Sequence, residues 1–123
     1  MKKHGFISKR ILSFKYAFQG IGTLLKTQVN AWIHLLAIIV VVVAGLILGC
    51  TSTEWAILML TIGAVFSAEA MNSAVEFLTD LVSPEYHDLA GKAKDLAAAS
   101  VLILAIASIG VAVFIFLPKL IAI

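Results

Sequence analysis

Residues 55–80 read WAILMLTIGAVFSAEAMNSAVEFLTD, and the fold turns on why so apolar a run carries Glu69, Asn72, Glu76 and Asp80. At about 100° per residue, these four side chains fall within roughly 80° of one helix face. An ionisable group deep in a bilayer costs on the order of 2.5 to 3.5 kcal/mol on insertion scales, so an acidic stripe in a membrane helix needs a reason. A reactive or ion-binding site turned away from lipid supplies one. Three helices offer few places to hide such a stripe, so a second copy of the chain is expected to meet it.

Composition identifies the solvent. Of 123 residues, 62% are apolar and 13% charged, with a mean hydropathy of +1.08; those values describe an integral membrane protein and exclude a soluble domain. The length fits a single membrane domain, residues 1–123, of about three spans with short connections. Cys50 is the only cysteine, which rules out an intrachain disulfide framework. The net charge of +2 is unevenly placed, because Lys2, Lys3, Lys9, Arg10, Lys15 and Lys26 all precede the first long apolar run. Such a leader lies against anionic headgroups and sets its own side as cytoplasmic. It is too long for a signal peptide and no small-residue cleavage pattern follows Gly49, so it is expected to be retained.

Outward from the stripe, the chain divides cleanly. Ile7, Ile11, Phe14, Phe18, Ile21 and Leu25 recur at spacings of four and three, which predicts an amphipathic helix over 5–28. Its basic polar face suits the membrane surface. Apolar runs predict spans over 32–49, 55–79 and 96–117. The turn from Gly49 to Glu54 has no basic residue and is placed outside; the connection from Asp80 to Asp95 carries Lys92 and Lys94 and is placed inside. Ser83 and Pro84 read as the cap and first position of a following helix. The topology is therefore N-terminus inside, C-terminus outside, with three crossings.

Burial disfavours the charged form of a carboxyl group, and a second carboxylate on the same face adds to this unless a cation lies between them. Glu69 is thus a candidate general base, and Glu76 with Asp80 a candidate cation or network site. Lys94 could neutralise phosphate as a point charge. Asp95 reads as a helix cap or a site residue. His34 and His87 have no Cys or His partner at metal-ligand spacing, which argues against structural zinc; His34 reads as an interfacial hydrogen-bonding residue. No GxxxxGK[ST] or GxGxxG is present, so a nucleotide must be held without either usual phosphate cradle. An acidic cluster, a lysine and an aromatic loop at the headgroup level suit phosphoryl transfer from a soluble donor to a lipid hydroxyl. A small proton- or cation-coupled transporter would also use a membrane glutamate, but it would need polar access at both faces.

The block Glu69-Ala-Met-Asn72-Ser-Ala-Val-Glu76-Phe-Leu-Thr-Asp80, followed by Ser83-Pro-Glu-Tyr-His87 and Lys92-Ala-Lys-Asp95, resembles the prokaryotic integral-membrane diacylglycerol kinase family, which includes the undecaprenol kinases. The resemblance runs from Phe14-Lys-Tyr-Ala-Phe-Gln-Gly20 through the third span. It implies an all-α membrane protein of the bacterial cytoplasmic membrane: a homotrimeric bundle whose protomers each have a surface helix and three transmembrane helices, with active sites shared between neighbours. It implies ATP as donor, Mg²⁺ as cofactor, a membrane lipid as acceptor and no nucleic-acid partner. Glu69 would then receive the lipid hydroxyl proton and Glu76 would bind the metal. Lys94 and Asp95 would contact the nucleotide; Tyr16, Glu85, Tyr86 and His87 would line its pocket; Asn72 and Asp80 would support the constellation. Family members usually place a second metal-binding glutamate where this chain has Gln28, whose amide oxygen can coordinate a hard cation but brings no charge. Asn30 with Ile33-His34 resembles the undecaprenol kinase branch.

Overall fold

The computed structural model describes residues 5–123 as four helices: α1 (Phe6–Thr27), α2 (Val29–Leu48), α3 (Ser52–Val82) and α4 (Asp88–Ile121). Lys2 and Lys3 of the basic leader lie outside the described residues. The last three helices are each long and apolar enough to cross a bilayer.

Gln28 alone separates α1 from α2, its extended backbone (φ −116°, ψ 113°) ending one helix and opening the other. Trp32 fastens this corner, because its indole Nε1 donates to the Leu25 carbonyl at 2.7 Å and satisfies one of the free carbonyls at the end of α1. Trp32 therefore lies inside the first turn of α2, and that helix starts earlier than its apolar run suggests. At the other end Gly49 adopts a left-handed conformation, φ 76°, which a side chain would strain. Thr51 then caps α3 by accepting from the Glu54 N–H at 3.2 Å. Across this hairpin Gly45 packs on Trp55, so closely that a Cβ would sit 2.5 Å from the indole. Lys119 joins the same end, its Nζ 3.0 Å from Glu54 Oε2 and 3.4 Å from the Gly49 carbonyl. Burial pushes the neighbouring Cys50 thiol up, and the Glu54 charge adds to this, so the thiolate is disfavoured.

The largest departure from the sequence reading follows α3. The long polar connection contracts to residues 83–87, and helix extends into it from both sides. Ser83 is the C-cap of α3, its hydroxyl donating to the Glu85 carbonyl at 2.8 Å, rather than the cap of a following helix. That role falls to His87, whose Nδ1 accepts from the Leu89 N–H at 3.1 Å, and Pro84 lies in the link. Polar residues here mark emergence from hydrocarbon, while Lys and Ala keep the helix itself favourable. Lys92, Lys94 and Asp95 consequently lie within α4, and Asp95 is too far from the helix start to act as a cap. At 31 and 34 residues, α3 and α4 measure about 46 and 51 Å. Both exceed a hydrocarbon core of about 30 Å.

The short link makes α3 and α4 antiparallel neighbours and the main packed pair; α2 lies on both, and α1 touches α2 and α3 only. Little is buried. Leu24, Ala31, Leu58 and Val65 are the covered apolar side chains among the described residues, and α4 contributes none. Glu69, Asn72 and Ser73 are buried as well, and Glu69, only 1% exposed, is the one large side chain fully enclosed. The protomer thus covers the deep half of the stripe by itself and leaves Asp80 open to a second copy of the chain.

Candidate functional site

The enclosed carboxylate is partnered. Glu69 Oε1 lies 2.9 Å from His34 Nε2 of α2, and the His34 ring meets Phe66 edge-on at 6.2 Å between centroids. Ser73 donates to the Glu69 backbone carbonyl at 3.0 Å, which keeps its hydroxyl within α3. His34 is thus the hydrogen-bonding residue its sequence context predicts, and its partner is the buried Glu69. The signal was available: 35 residues separate His34 from Glu69, and the Gly49–Thr51 turn lies midway. In an antiparallel hairpin, residues equidistant from the turn share a depth.

One turn beyond Asn72 stands Glu76. The Asn72 amide donates to Glu76 Oε1 at 3.3 Å, and the buried Asn72 Oδ1 has no hydrogen-bond partner. An acceptor oxygen without a donor, beside a half-buried carboxylate, is the donor set of a hard cation. Mg²⁺ usually takes one or two carboxylates and completes its shell with water and phosphate oxygens, so Glu76 and Asn72 fit it as an incomplete cradle. Among the described residues no three His, Cys, Asp or Glu side chains gather closely enough to form a full metal cage. Gln28 sits at the α1–α2 corner, its amide donating to Thr27 Oγ1 at 3.4 Å.

Further along α3 the stripe becomes exposed. Asp80 pairs with Lys94 of α4, and around this pair opens a cavity of about 240 Å³ lined by Ser83, Glu85, Tyr86, His87 and Gly91 among others. Glu85, Tyr86, His87 and Lys94 thus do come together, joined by Asp80. The Tyr86 ring lies 3.7 Å from where a Gly91 Cβ would stand, and its hydroxyl donates to Asp88 Oδ1 at 3.0 Å. Tyr16 and Asp95 do not join them: both are exposed, on α1 and α4 respectively. Lys94 is 42% exposed and Asp80 64%, so water screens their attraction strongly. A triphosphate could take the ammonium from Asp80 at small cost.

A second, larger space of about 730 Å³ lies between α1 and α3, walled by Ala17, Gly20, Leu24, Ala70, Ala74 and Phe77. Small residues on both helices keep it open, and its lining is mostly apolar, with Thr23, Thr27 and Ser67 among the few polar side chains. Ser73, bonded to the Glu69 backbone, forms part of its wall. The protomer therefore combines an apolar groove, a buried acid held by an imidazole, a half-buried acid beside an unpaired amide oxygen, and a polar cavity with a releasable cation.

Comparison with known proteins gives a consistent answer. Residues 15–116 match the family model described as prokaryotic diacylglycerol kinase. The chain is 39% identical over 108 residues to an undecaprenol kinase of Bacillus subtilis, covering 88% of each chain. It is 38% identical over 113 residues to a diacylglycerol kinase of Synechocystis, covering 91% of this chain and 65% of that one. A diacylglycerol kinase of Haemophilus influenzae is 31% identical over 103 residues, with 84% of this chain and 87% of the relative covered.

Proposed function

The chain belongs to the prokaryotic diacylglycerol kinase family and is a lipid kinase, and we propose that it transfers the γ-phosphoryl group of ATP to the hydroxyl of diacylglycerol or undecaprenol. The observation that carries this reading is Glu69: a carboxylate enclosed at membrane depth and held by His34, on the same helix face as Glu76 and the Asp80–Lys94 cavity. The transporter alternative has no support, since the matched family and the named relatives are kinases.

In this mechanism the acceptor's tail lies in the groove between α1 and α3, which brings its hydroxyl to Glu69. The Glu69 carboxylate takes the hydroxyl proton as the alcohol oxygen attacks the γ-phosphorus, and the bond to the β-phosphate oxygen breaks to release ADP. Lys94 leaves Asp80 for the phosphates, and Glu85, Tyr86 and His87 line the nucleotide's cavity. Glu76 and Asn72 Oδ1 would hold Mg²⁺, which when bound offsets phosphate charge. So few catalytic groups suffice because phosphoryl transfer depends mainly on positioning and charge neutralisation.

Along α3, Glu69 and Asp80 lie about 16 Å apart with Glu76 between them, so a nucleotide seated at Lys94 must reach inward along its triphosphate to bring the γ-phosphate to the base. A homotrimer with active sites shared between neighbours would cover α4, which buries nothing in the protomer. The exposed apolar side chains of Ile7, Ile11, Phe14 and Phe18 support a surface position for α1, and its lysines support a cytoplasmic one. The protein would then sit in the bacterial cytoplasmic membrane, N-terminus inside and C-terminus outside.

The test uses purified protein in mixed micelles with Mg²⁺ and γ-labelled ATP, offered diacylglycerol and undecaprenol separately. Label enters one of the two lipids, and the preferred lipid identifies the acceptor. Label in neither, or a parental rate from Glu69→Gln, refutes the proposal.

A further inference from the structure

Within the lipid-kinase reading, on which this inference rests, we infer that His34 is the positioning residue of the base: its Nε2–H holds Glu69 as an oriented carboxylate, leaving the second oxygen to take the acceptor's proton.

The geometry leaves few alternatives. Glu69 is 1% exposed, so its carboxylate cannot be stabilised by bulk water, and an isolated buried carboxylate is among the most costly groups a protein can hold. Its side-chain partner is His34 Nε2 at 2.9 Å. An ionised carboxylate only accepts hydrogen bonds, so while Glu69 is a base the imidazole must present its proton at Nε2. That fixes a tautomer, and the Phe66 edge contact fixes the ring plane. His34 also lines a cavity of about 210 Å³ between α2, α3 and α4, with Ala37, Val41, Leu58, Val65 and Phe66 among its walls. No other acid or base lines that space. Facing His34, α3 brings only Glu69 as a titratable group. From α4 the lining residues are Ser108, Ile109 and Ala112, all without charge.

Binding oxygen Oε1 to a fixed ring leaves Oε2 as the proton acceptor, with its direction set by the imidazole. During transfer the alcohol O–H bond breaks, its proton bonds to Oε2, and the alcohol oxygen bonds to phosphorus as ADP leaves. His34 touches neither lipid nor phosphate in this scheme. Its contribution is to the chemical step, so removing it lowers kcat and leaves KM for ATP nearly unchanged.

The experiment compares wild type, His34→Ala and His34→Gln in mixed micelles, with Glu69→Gln as a control on the base itself. His34→Ala is expected to lower kcat roughly tenfold to a hundredfold, the scale of a misplaced catalytic group. His34→Gln, whose side-chain amide also offers an N–H at the position of Nε2, restores most of it. Parental kcat in His34→Ala, or His34→Gln no better than His34→Ala, overturns the inference. If Glu69→Gln is inactive in either case, the lipid-kinase mechanism stands and only the role of His34 falls. Parental turnover by Glu69→Gln removes the base and the inference together. A readout independent of activity and of variant folding at position 34 is the ¹⁵N imidazole spectrum of wild-type protein, with the His34 signal assigned by its loss in His34→Gln. An Nε2–H tautomer that is lost in Glu69→Leu supports the pairing; a His34 spectrum that ignores position 69 overturns it.

Discussion

The two ends of the helical bundle each hold one acid–lysine pair, and the pairs differ in how far the protein covers them. At the hairpin end, Lys119 binds both Glu54 and the Gly49 carbonyl, and its ion pair is 20% and 23% exposed. Gly45 and Trp55 pack tightly beneath it. At the link end, Lys94 and Asp80 are two to three times as exposed and border an open polar cavity. A lysine shared by two acceptors in a covered corner serves as a fastening. A lysine with one screened partner beside an empty space is available to an incoming anion. On the proposed function, the same residue types would serve stability at one end and binding at the other.

The sharpest break of that comparison sets Glu69 against Glu54. Glu69→Gln should reduce lipid phosphorylation by roughly 10² to 10⁴, the usual contribution of a general base, whereas Glu54→Gln should leave turnover near parental; rates with saturating ATP and lipid decide it. Next comes the pair of lysines. Lys94→Met is expected to raise KM for ATP about tenfold to a hundredfold, corresponding to the loss of one charge-assisted contact. Lys119→Met should not change KM, and should appear only as a lower thermal midpoint in detergent. Equal effects on KM from both variants would erase the distinction between the ends.

A smaller effect is expected at Gly45. A valine there meets the Trp55 ring, and overpacking of this kind costs about 1 to 3 kcal/mol; unfolding in mixed micelles should register it while kcat per folded enzyme stays constant. The smallest change concerns Gln28. Replacing it by glutamate adds, at the α1–α2 corner, the charge that the family resemblance places on the metal, and ligand charge tunes hard-cation affinity. Half-maximal activity should then be reached at roughly threefold to tenfold lower Mg²⁺. An unaltered Mg²⁺ dependence would separate the α1–α2 corner from the metal.

Much of this organisation was legible in the chain. Apolar run length alone predicts three spans, because lipid demands uninterrupted backbone hydrogen bonding, and the stripe from Glu69 to Asp80 predicts which helix carries the buried acid. Two things were less visible. The limits of α3 and α4 were hidden because hydropathy reports where hydrocarbon ends, while a helix continues as long as its residues favour it. For that reason Ser83 reads as the cap of a following helix, whereas it is the C-cap of α3, and the capping reading of Asp95 fails seven residues into α4. The His34–Glu69 pair was missed because each residue was weighed on its own helix, whereas the pairing follows only from folding the two helices about Gly49. The groove between α1 and α3 depends on small residues such as Gly20, Ala70 and Ala74, and in sequence these are indistinguishable from ordinary membrane filler.

The overshoot of α3 and α4 has its own consequence. Helices longer than the hydrocarbon they cross must tilt or protrude, and protrusion at the α3–α4 link would put the Asp80–Lys94 pair on a short stalk whose height above the acyl chains is set by the host lipids. Thickening the bilayer would draw that stalk down and change how far a water-borne nucleotide must descend to meet a lipid-borne alcohol. On the proposed mechanism, turnover would then vary with bilayer thickness, and acyl-chain length would act as a control variable alongside substrate concentration.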